Sequence, residues 1–386
     1  MYMNVLLITK DRQILQEGTP ARGMVQEYAT IVDHLFVIVL NDRAHKSEMQ
    51  KVSEKFWIYP TNSWWWWTAP FGARNVAHRE LWFQQRLQAT LICALDPGES
   101  AFAAWLIHRF SHRPIQVTVL DDVFSNQYES GWLKRLLDRE IAQFVLPGAQ
   151  SVRVGSAAIK ALVSRISVAL AEHSFVLPRF VDTQRLIAEE VRVDLHQKYP
   201  QFKFIILMVA SLTRSQNIEL ALTILQGVLR GYSHAGLVIV GEGADRMRLA
   251  LLAEKMGLTE HVVFQSPDEN ISSYYKTANV FLVTALREEY GTTITEAAAH
   301  GALIITTNVG IASTIIRNGD SGFICDPSRP EEFVEKILAV IRDPSIRGRL
   351  RVNGALFVAD SVGMSKEKHL QILKESWEKT TAEVGL

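Results

Sequence analysis

Residues 280–306 read VFLVTALREEYGTTITEAAAHGALIIT, and this stretch indicates the fold class. The runs Val280–Val283 and Leu303–Thr306 are apolar throughout rather than alternating, which is typical of strands buried on both faces of a parallel sheet. Between them, Gly291 precedes a segment that opens a helix. The stretch therefore predicts one β-α-β unit.

The same alternation of short apolar runs and longer amphipathic stretches extends along almost the whole chain. The other strand-like runs are Asn4–Thr9, Leu35–Leu40, Leu91–Leu95, Ile115–Leu120, Ser151–Val154, Phe202–Ala210, Gly236–Val240 and His261–Phe264. The clearest helix-like segments are Gly131–Phe144, Ile218–Arg230 and Ala244–Lys255. This pattern predicts doubly wound α/β domains, in which ligands bind beyond the carboxyl ends of the strands.

The pattern pauses once, which divides the chain into two halves of similar size. After FVLPRFVD, residues 175–182, comes the charged stretch Glu189–Lys203, and a second set of strands begins at Phe202. The length of 386 residues also fits two domains of about 100 to 200 residues each. We expect Rossmann-like domains over 1–182 and 183–361, facing each other across a ligand-binding cleft.

Composition excludes several classes of protein. Lys plus Arg number 41 and Asp plus Glu number 41, and this zero net charge argues against a broadly basic nucleic-acid binder. Cys93 and Cys325 lack any CxxC or Cys/His spacing, which excludes a disulfide scaffold or a cysteine zinc site and suits a reducing compartment. No targeting segment is visible, and no apolar run approaches the roughly 18 to 20 residues that span a bilayer. We expect a cytoplasmic protein, and we expect any membrane contact to be peripheral, at the inner face of the membrane.

The first polar loop with chemical interest is VGEGADR, residues 240–246. Gly241 and Gly243 follow a strand and precede a helix, as in a dinucleotide-binding turn. The third glycine of GxGxxG would fall where the chain has Arg246. Two interpretations remain, a dinucleotide-binding oxidoreductase and a tight turn between strand and helix. Glu242 is of interest because it lies on a loop at the carboxyl end of a strand.

The second polar loop carries two carboxylates and opens a helix. Glu288 lies before Gly291, and Glu296 is predicted to lie in the first helical turn. Gly291 lets the backbone approach a ligand closely, and the first N–H groups of the helix form an anion site of the kind that phosphates use. The alternative is structural, because Thr293 and Glu296 have the spacing of a capping box, which needs no ligand.

This block resembles the Glu-x7-Glu signature of family 4 glycosyltransferases, which have the GT-B fold. The family pattern is EGFGxxxxE, and residues 288–296 read EEYGTTITE. The resemblance continues in AAAHGALIITTNVG (297–310) and GDSGFICDP (319–327), which are similar to the family's AxAxGxPVIxTxxG and GxxGxLVxP. Upstream, VGEG (240–243) and FVD (180–182) look like the family's VGxG loop and GVD linker. The resemblance is good over about 175–345 and weaker, though colinear, before that.

The resemblance implies a retaining transfer of a sugar from a nucleotide diphosphate sugar, with no metal and no cofactor. The second domain is expected to hold the donor, with Glu288 at the hydroxyls of the sugar and Glu296 at the hydroxyls of the ribose. The first domain is expected to bind a glycan or lipid-linked acceptor beside the loop from Gly18 to Gly23. The residues expected around the diphosphate and the base are Tyr290, Gly291, Thr292, Thr293, Gly241, Glu242, Gln265 and Ser266.

Three positions depart from the family pattern. Ser211 and Gln216 occupy the places of an Arg and a Lys after the first strand of the donor domain, and Leu120 occupies that of a His. Cations at the first two places stabilise the charge that the leaving diphosphate gains. Losing two hydrogen bonds to a charged group costs about 3 to 6 kcal/mol, or roughly two to four powers of ten in rate. Arg214 is a candidate replacement, and the alternative is a solvated loop arginine.

Two aspartates follow the replaced histidine. Asp121 and Asp122 are candidates to orient the acceptor hydroxyl or to accept its proton, and the alternative for each is a loop cap. We therefore predict a retaining glycosyltransferase that acts on a glycan or glycolipid. The rival prediction is a degenerate family member that binds a nucleotide or glycan without efficient turnover.

An unusual aromatic segment lies in the first domain. Four consecutive tryptophans, Trp64–Trp67, cannot all face one side of a strand or helix. Aromatics interleaved with cations suit sugar stacking, a lipid-linked acceptor at a membrane interface, or a protein contact, and the bland alternative is a segment that runs from core to surface. The residues that continue the segment are Phe71, Arg74, His78, Arg79 and Trp82.

The last part of the chain, Lys366–Lys379, has apolar residues at helical spacing. In GT-B proteins the last helix crosses back to the first domain. The resemblance implies the same for about 362–386, and we expect Trp377 to be the anchor.

Overall fold

The computed structural model describes residues 3–82, 90–120, 132–267, 270–288, 291–361 and 364–382. The chain forms two compact units. The first comprises Met1–Arg179 and Lys366–Leu386, and the second comprises Phe180–Ser365. From the sequence, the division was expected between residues 182 and 183.

The first unit is built on an eight-stranded sheet. Its strands are β1 (Asn4–Thr9), β2 (His34–Val39), β3 (Gln50–Ser53), β4 (Phe56–Pro60), β5 (Leu91–Ala94), β6 (Ile115–Val119), β7 (Ser151–Val154) and β8 (Ser174–Val176). They are ordered β3-β4-β2-β1-β5-β6-β7-β8, and only the β3–β4 pair is antiparallel. The strand order reverses between β1 and β5, which is the topological switch point of a doubly wound sheet.

The helices of the first unit connect these strands in chain order. They are α1 (Pro20–Tyr28), α2 (Ala69–Val76), α3 (Glu99–Ser111), α4 (Trp132–Val145), α5 (Ala157–Ser164) and α6 (Val168–Glu172). Shorter elements are the 3₁₀ helices Arg12–Leu15, Arg43–His45, Trp66–Thr68 and Leu146–Gly148 and the π-helical segment Ala77–Trp82.

The second unit is built on a six-stranded parallel sheet. Its strands are β9 (Phe204–Val209), β10 (Ala235–Val240), β11 (Val262–Gln265), β12 (Val280–Val283), β13 (Ile304–Thr307) and β14 (Phe323–Cys325). The order is β11-β10-β9-β12-β13-β14, so the switch point lies between β9 and β12. In open α/β sheets the ligand binds at this point, outside the carboxyl ends of the strands.

The helices that follow complete the chain. In the second unit they are α7 (Thr183–Ala188), α8 (Leu195–Lys198), α9 (Ile218–Gly231), α10 (Arg246–Lys255), α11 (Ile271–Thr277), α12 (Thr292–Ala299), α13 (Ala312–Ile315), α14 (Pro330–Arg342) and α15 (Pro344–Ser361), with a 3₁₀ helix at Arg214–Gln216. The last helix, α16 (Lys366–Ala382), belongs to the first unit. None of the helices within the described residues is both long and apolar enough to cross a membrane.

Strand β9 shows why the central runs are apolar throughout. Ile206 and Met208 point into a core cluster with helix α9, whereas Ile205 and Leu207 point into a second cluster that contains Tyr274. Both faces of the sheet are therefore covered, and every position of the strand benefits from an apolar side chain.

Helix α16 returns to the first unit and packs against β5 and β6. Trp377 is 2% exposed, and its ring meets that of Tyr28 edge to face at 5.9 Å between centroids. Thr380 Oγ1 lies 2.6 Å from Ser151 Oγ and accepts a hydrogen bond from Gln116 Nε2 at 3.2 Å. The predicted return of the last helix and the anchoring role of Trp377 are confirmed.

Each strand predicted from the sequence is present, but four further strands were missed. These are β3, β4, β8 and β14. The sequence of β3 is polar because its side chains alternate between half-buried and exposed positions, and β8 and β14 have only three residues each. In β4, Pro60 and the aromatic residues obscured a run that pairs with β2. Apart from the interior strand β4, the missed strands lie at the edges of their sheets, and they are polar or very short.

Candidate functional site in the second unit

The loops that follow the two central strands of the second sheet are joined to each other. Thr284 Oγ1, just after β12, donates to the carbonyl oxygen of Gln216 at 3.0 Å, and the Leu286 N–H donates to the carbonyl oxygen of Ser215 at 2.9 Å. Thr284 and Gln216 are both buried. The two loops therefore form one connected rim at the switch point, where a ligand of this fold class binds.

Gly291 turns the chain into helix α12. It is the N-cap residue, with a φ of 79° in the left-handed region, where glycine has no steric penalty. The helix begins at Thr292, and no side chain caps it. The first N–H groups of a helix have no partner within the helix, so this end presents donors and the positive end of the helix dipole.

The capping-box alternative for Thr293 and Glu296 is wrong. A capping box requires Thr293 as the N-cap, but that position is held by Gly291. Glu296 accordingly lies beyond the first turn. The prediction that it lies within the first turn is wrong. Thr293 Oγ1 is buried and has no hydrogen-bond partner among the described residues.

Glu296 is partly buried and lies against Tyr275 of helix α11. Tyr275 Oη donates to Glu296 Oε2 at 3.5 Å, and the Tyr275 side chain is fully buried. Burial raises the pKa of Glu296, the Tyr275 hydrogen bond opposes that rise, and the charge of Glu189 adds to it. A buried phenol thus holds the carboxylate in place, and among the described residues no backbone N–H donates a hydrogen bond to it.

Glu288 and Glu296 affect the same tyrosine. Burial raises the pKa of Tyr275, and the negative charges of Glu296 and Glu288 raise it further. Both carboxylates therefore lie within electrostatic reach of the Tyr275 hydroxyl.

His300 contacts both Glu296 and Tyr275. Its Nδ1 lies 2.8 Å from the carbonyl oxygen of Glu296, and its ring stacks on Tyr275 at 5.4 Å between centroids. Its Nε2 is 3.8 Å from Glu189 Oε2, too long for a hydrogen bond. Burial lowers the pKa of His300. Because a carbonyl oxygen only accepts, Nδ1 carries the proton that faces it. Sequence reasoning missed Tyr275, His300 and Glu189 as members of this site.

The loop with Gly241 and Gly243 is packed on the loop that follows β9. A Cβ at Gly241 would lie 1.9 Å from the carbonyl oxygen of Ala210, and one at Gly243 would lie 2.3 Å from that of Leu212. The Leu212 N–H donates to the carbonyl oxygen of Glu242 at 2.8 Å. Both glycines are therefore required by contact within the protein, which supports the tight-turn interpretation over a dinucleotide-binding turn.

Glu242, Gln265 and Ser266 lie at neighbouring strand ends. The exposed Glu242 carboxylate accepts a hydrogen bond from Ser266 Oγ, and Arg246 Nη1 is 3.6 Å from it. The Gln265 side chain turns toward helix α8, where Oε1 accepts from Tyr199 Oη at 2.7 Å. The structure thus brings these loops together, with the Gln265 amide already engaged by the protein.

The segment that departs from the family pattern has both exposed and buried residues. Ser211 and Arg214 are exposed, and Gln216 is 8% exposed. The Asp245 carboxylate accepts a hydrogen bond from Arg248 at 2.8 Å, which lowers the pKa of Asp245, and the charge of Arg214 contributes last to that shift. Arg214 therefore lies within electrostatic reach of the loop after β10.

Three of the predicted site residues lie outside the described part of the chain. These are Asp121, Asp122 and Tyr290. Gly18 has a φ of 79° in the turn before α1, whereas Gly23 lies inside α1. The predicted loop from Gly18 to Gly23 is wrong at its end, because Thr19 caps a helix that begins at Pro20.

A cavity of about 440 Å³ lies beside this site, at the carboxyl ends of β12, β13 and β14. Thr307, Asn308, Asp326 and Glu332 supply its polar groups. Thr307 Oγ1 donates to the carbonyl oxygen of Ala285 at 2.5 Å, which ties the end of β13 to the loop after β12. Within the described residues, no three His, Cys, Asp or Glu side chains group closely enough to hold a metal ion.

Residues 194–357 match the family model of group 1 glycosyl transferases, and this match covers the sheet and the site just described. The second unit is therefore similar to group 1 glycosyl transferases over these residues. The D-inositol 3-phosphate glycosyltransferase of Acidothermus cellulolyticus is 31% identical over 127 residues, which are 31% of this chain and 28% of that protein. The sulfoquinovosyl transferase of Arabidopsis thaliana is 24% identical over 68% of this chain and 52% of that protein. The first curated relatives are matched over no more than 30% of their own length.

Two solved structures are similar in fold over almost the whole chain. Sucrose-phosphate synthase from Thermosynechococcus elongatus has a TM-score of 0.80 at 17% identity, covering 99% of this chain and 100% of that one. Anabaena HepE in complex with UDP has a TM-score of 0.75 at 15% identity, covering 98% and 100%. These likenesses confirm the predicted GT-B class, with two Rossmann-like units.

Proposed function

We propose that the protein is a glycosyltransferase that moves a sugar from a nucleotide diphosphate sugar to a glycan or glycolipid acceptor, with retention of configuration. The observation that carries the proposal is the Glu288–Glu296 pair around the uncapped start of α12, at the switch point of a unit similar to group 1 glycosyl transferases. The similarity to HepE, whose structure was solved with UDP, makes UDP the first nucleotide to test.

The start of α12 and the two carboxylates each have a chemical role in the proposal. The N–H groups of Thr292 and Thr293 bind the diphosphate, because the start of a helix favours an anion. Glu296 accepts hydrogen bonds from the ribose hydroxyls, and its orientation is fixed by Tyr275. Glu288 accepts hydrogen bonds from the hydroxyls of the donor sugar. The family resemblance implies that no metal takes part.

The leaving diphosphate gains charge as the glycosidic bond breaks, so the proposed mechanism needs positive charge at that position. Ser211 and Gln216 are neutral where the family has cations. The start of α12 supplies about 0.3 to 1 kcal/mol per favourable charge, or about 2 kcal/mol when partly buried. Arg214 is the proposed source of the remaining stabilisation of the diphosphate, since it is exposed on the loop that carries Ser211 and Gln216.

A second candidate function is binding of the nucleotide sugar without efficient turnover. The environment of Gln216 favours this second function, because its side chain is buried and its main-chain carbonyl oxygen accepts a hydrogen bond from Thr284 Oγ1. In this alternative, the carboxylates and the helix start hold a ligand, while the charge of the leaving group is not stabilised.

Calorimetric titration with a panel of nucleotide diphosphates and their sugar conjugates tests the proposal. We expect one nucleotide to bind and its sugar conjugate to bind more tightly. Glu288→Gln should remove most of the advantage of the conjugate while leaving nucleotide affinity unchanged. The matched control is Glu331→Gln, which changes an exposed glutamate in the first turn of α14. An absence of binding across the panel would contradict the proposal.

Turnover separates the two candidates. Release of free nucleotide from the bound sugar conjugate, with or without an acceptor, is expected from an enzyme. Tight binding without such release would favour the second candidate.

A further inference from the structure

Five aromatic side chains of the first unit project into solvent beside helix α2. The relative exposures are 70% for Trp64, 62% for Trp65, 47% for Trp66, 58% for Trp67 and 48% for Phe71. We name these five residues the tryptophan surface. Exposed apolar groups are common one at a time, whereas contiguous aromatic patches mark sites of interaction.

The exposure follows from how the segment is fixed at both ends. Ser63, just before the tryptophans, is 8% exposed, and its N–H donates to the carbonyl oxygen of Asn41 at 3.0 Å. After them, Ala69 and Ala73 of α2 are buried at 2% and 0% exposure. With both flanks held in the unit, the tryptophans cannot turn inward as a group.

The tryptophan surface continues into a row of ring contacts across α2, α3 and α4. Phe71 meets Phe102 edge to face at 6.0 Å between centroids, and Phe102 stacks on Trp105 at 5.9 Å. Trp105 meets Phe144 at 4.9 Å, and Phe144 is itself 57% exposed. The aromatic area is therefore broader than the segment alone.

Exposed arginines lie among these rings. The Arg43 guanidinium lies 3.4 Å from the centroid of the Trp64 ring, Arg74 lies 5.8 Å from that of Phe110, and Arg109 lies 6.0 Å from that of Trp105. No ion pair joins these three arginines to a carboxylate within the described residues. Their positive charge is available to an anionic partner.

We propose that the tryptophan surface binds the interface of an anionic lipid bilayer. Tryptophan has an apolar ring and a polar N–H, so it favours the headgroup level of a membrane, and arginine is attracted to anionic headgroups. Four consecutive side chains cannot all face one side of a strand or helix, and a fluid interface accommodates them without a shaped pocket. The contact is peripheral and does not depend on the donor site proposed above.

Co-sedimentation with vesicles tests this proposal. We expect the full chain to bind vesicles of phosphatidylcholine mixed with phosphatidylglycerol more tightly than vesicles of phosphatidylcholine alone. All nine tryptophans lie in the first unit, so a blue shift of their fluorescence on adding vesicles reports the same event. A chain that binds neither vesicle would overturn the proposal.

Two variants separate the apolar and electrostatic contributions. Trp65→Ser with Trp67→Ser should weaken binding to anionic vesicles by about tenfold or more, because binding scales with buried apolar area. Arg43→Gln with Arg74→Gln should weaken it by roughly fivefold per arginine and reduce the preference for anionic lipid. Thermal unfolding of each variant should match that of the wild type, since all four side chains are exposed.

The matched control changes exposed apolar residues of the second unit. Met247 and Leu251 are 78% and 53% exposed, and Met247→Ser with Leu251→Ser should leave vesicle binding unchanged. Equal loss in this control would mean non-specific adsorption and would overturn the proposal. A dimer in light scattering that the tryptophan variant abolishes, without vesicle binding, would assign the surface to a second copy of the chain instead.

Discussion

Gly241 and Gly291 both lie in loops at the carboxyl ends of strands in the second sheet, yet they serve opposite purposes. At Gly241, the carbonyl oxygen of Ala210 lies so close that no Cβ fits. At Gly291, a positive φ starts a helix that has no side-chain cap. The first glycine lets the protein pack on its own backbone, whereas the second starts a helix whose first N–H groups have no side-chain cap. A glycine after a strand therefore indicates a ligand only where the protein does not fill the space itself.

The largest expected effect is the loss of stability in Gly241→Ala. A methyl group there overlaps the Ala210 carbonyl oxygen, and overpacking of this kind costs about 3 kcal/mol. Scanning calorimetry on the full chain measures it, because the second unit contains no tryptophan. The control is Gly257→Ala, which has a φ of +71° and no atom within 4 Å of the added Cβ, and which costs about 1 kcal/mol. Equal losses would mean that contact with the Ala210 carbonyl oxygen does not require glycine at position 241.

Glu296→Gln should weaken ligand binding without lowering stability, which is the reverse of the effect expected for Gly241→Ala. Losing charged hydrogen bonds to the ribose should weaken nucleotide binding roughly 10- to 100-fold. The fold should not be destabilised, because burial raises the pKa of Glu296 and Gln has no charge to bury. Calorimetric titration and thermal unfolding measure the two effects, with Glu331→Gln as the control. Unchanged affinity would show that the carboxylate is structural.

The raised pKa of Glu296 gives a smaller effect, which depends on pH. A protonated carboxyl loses acceptor strength, so nucleotide affinity should fall as the pH falls through the raised pKa. Tyr275→Phe removes the donor that lowers this pKa, so the fall should begin at higher pH, with about a fivefold loss of affinity at mildly acid pH. Tyr274→Phe, the neighbouring buried tyrosine, should not move the midpoint. Coincident profiles for the wild type and Tyr275→Phe would exclude the proposed positioning role.

The smallest expected effect is a gain. Gln216→Lys restores a family cation in the loop after β9 and should strengthen diphosphate binding by about two- to threefold, well below the tenfold or more that one charged hydrogen bond provides. The gain is limited because Gln216 is 8% exposed and the new ammonium group must reach out of a buried position. A matched Arg214→Gln variant should weaken the same binding. If neither variant changes the affinity, the diphosphate lies elsewhere.

The sequence predicted the parts of this fold that depend on local pattern. Runs buried on both faces, such as β9 and β12, are apolar at every position and therefore stand out. The edge strand β3 does not stand out, because its positions alternate between half-buried and exposed. The Glu288–Glu296 pair could be predicted because both residues belong to one β-α unit.

The surroundings of that pair could not be predicted. Tyr275 reaches Glu296 only because α11 packs against α12, and the Glu189 carboxylate approaches His300 from the start of the second unit. Such contacts between distant segments leave no periodicity in the sequence. The capping box failed for a related reason, since Thr293 and Glu296 have its spacing but Gly291 starts the helix earlier.

The return of α16 has a consequence for the order in which the protein folds during synthesis. The second unit, Phe180–Ser365, is complete before α16 leaves the ribosome, whereas the first unit lacks one of its elements until then. Gln116 Nε2 donates to Ser151 Oγ at 3.1 Å, but Thr380 Oγ1, which bonds to both side chains, joins them only once α16 has been made. Although domains generally fold in the order of synthesis, here the amino-terminal unit should be the last to reach its native state.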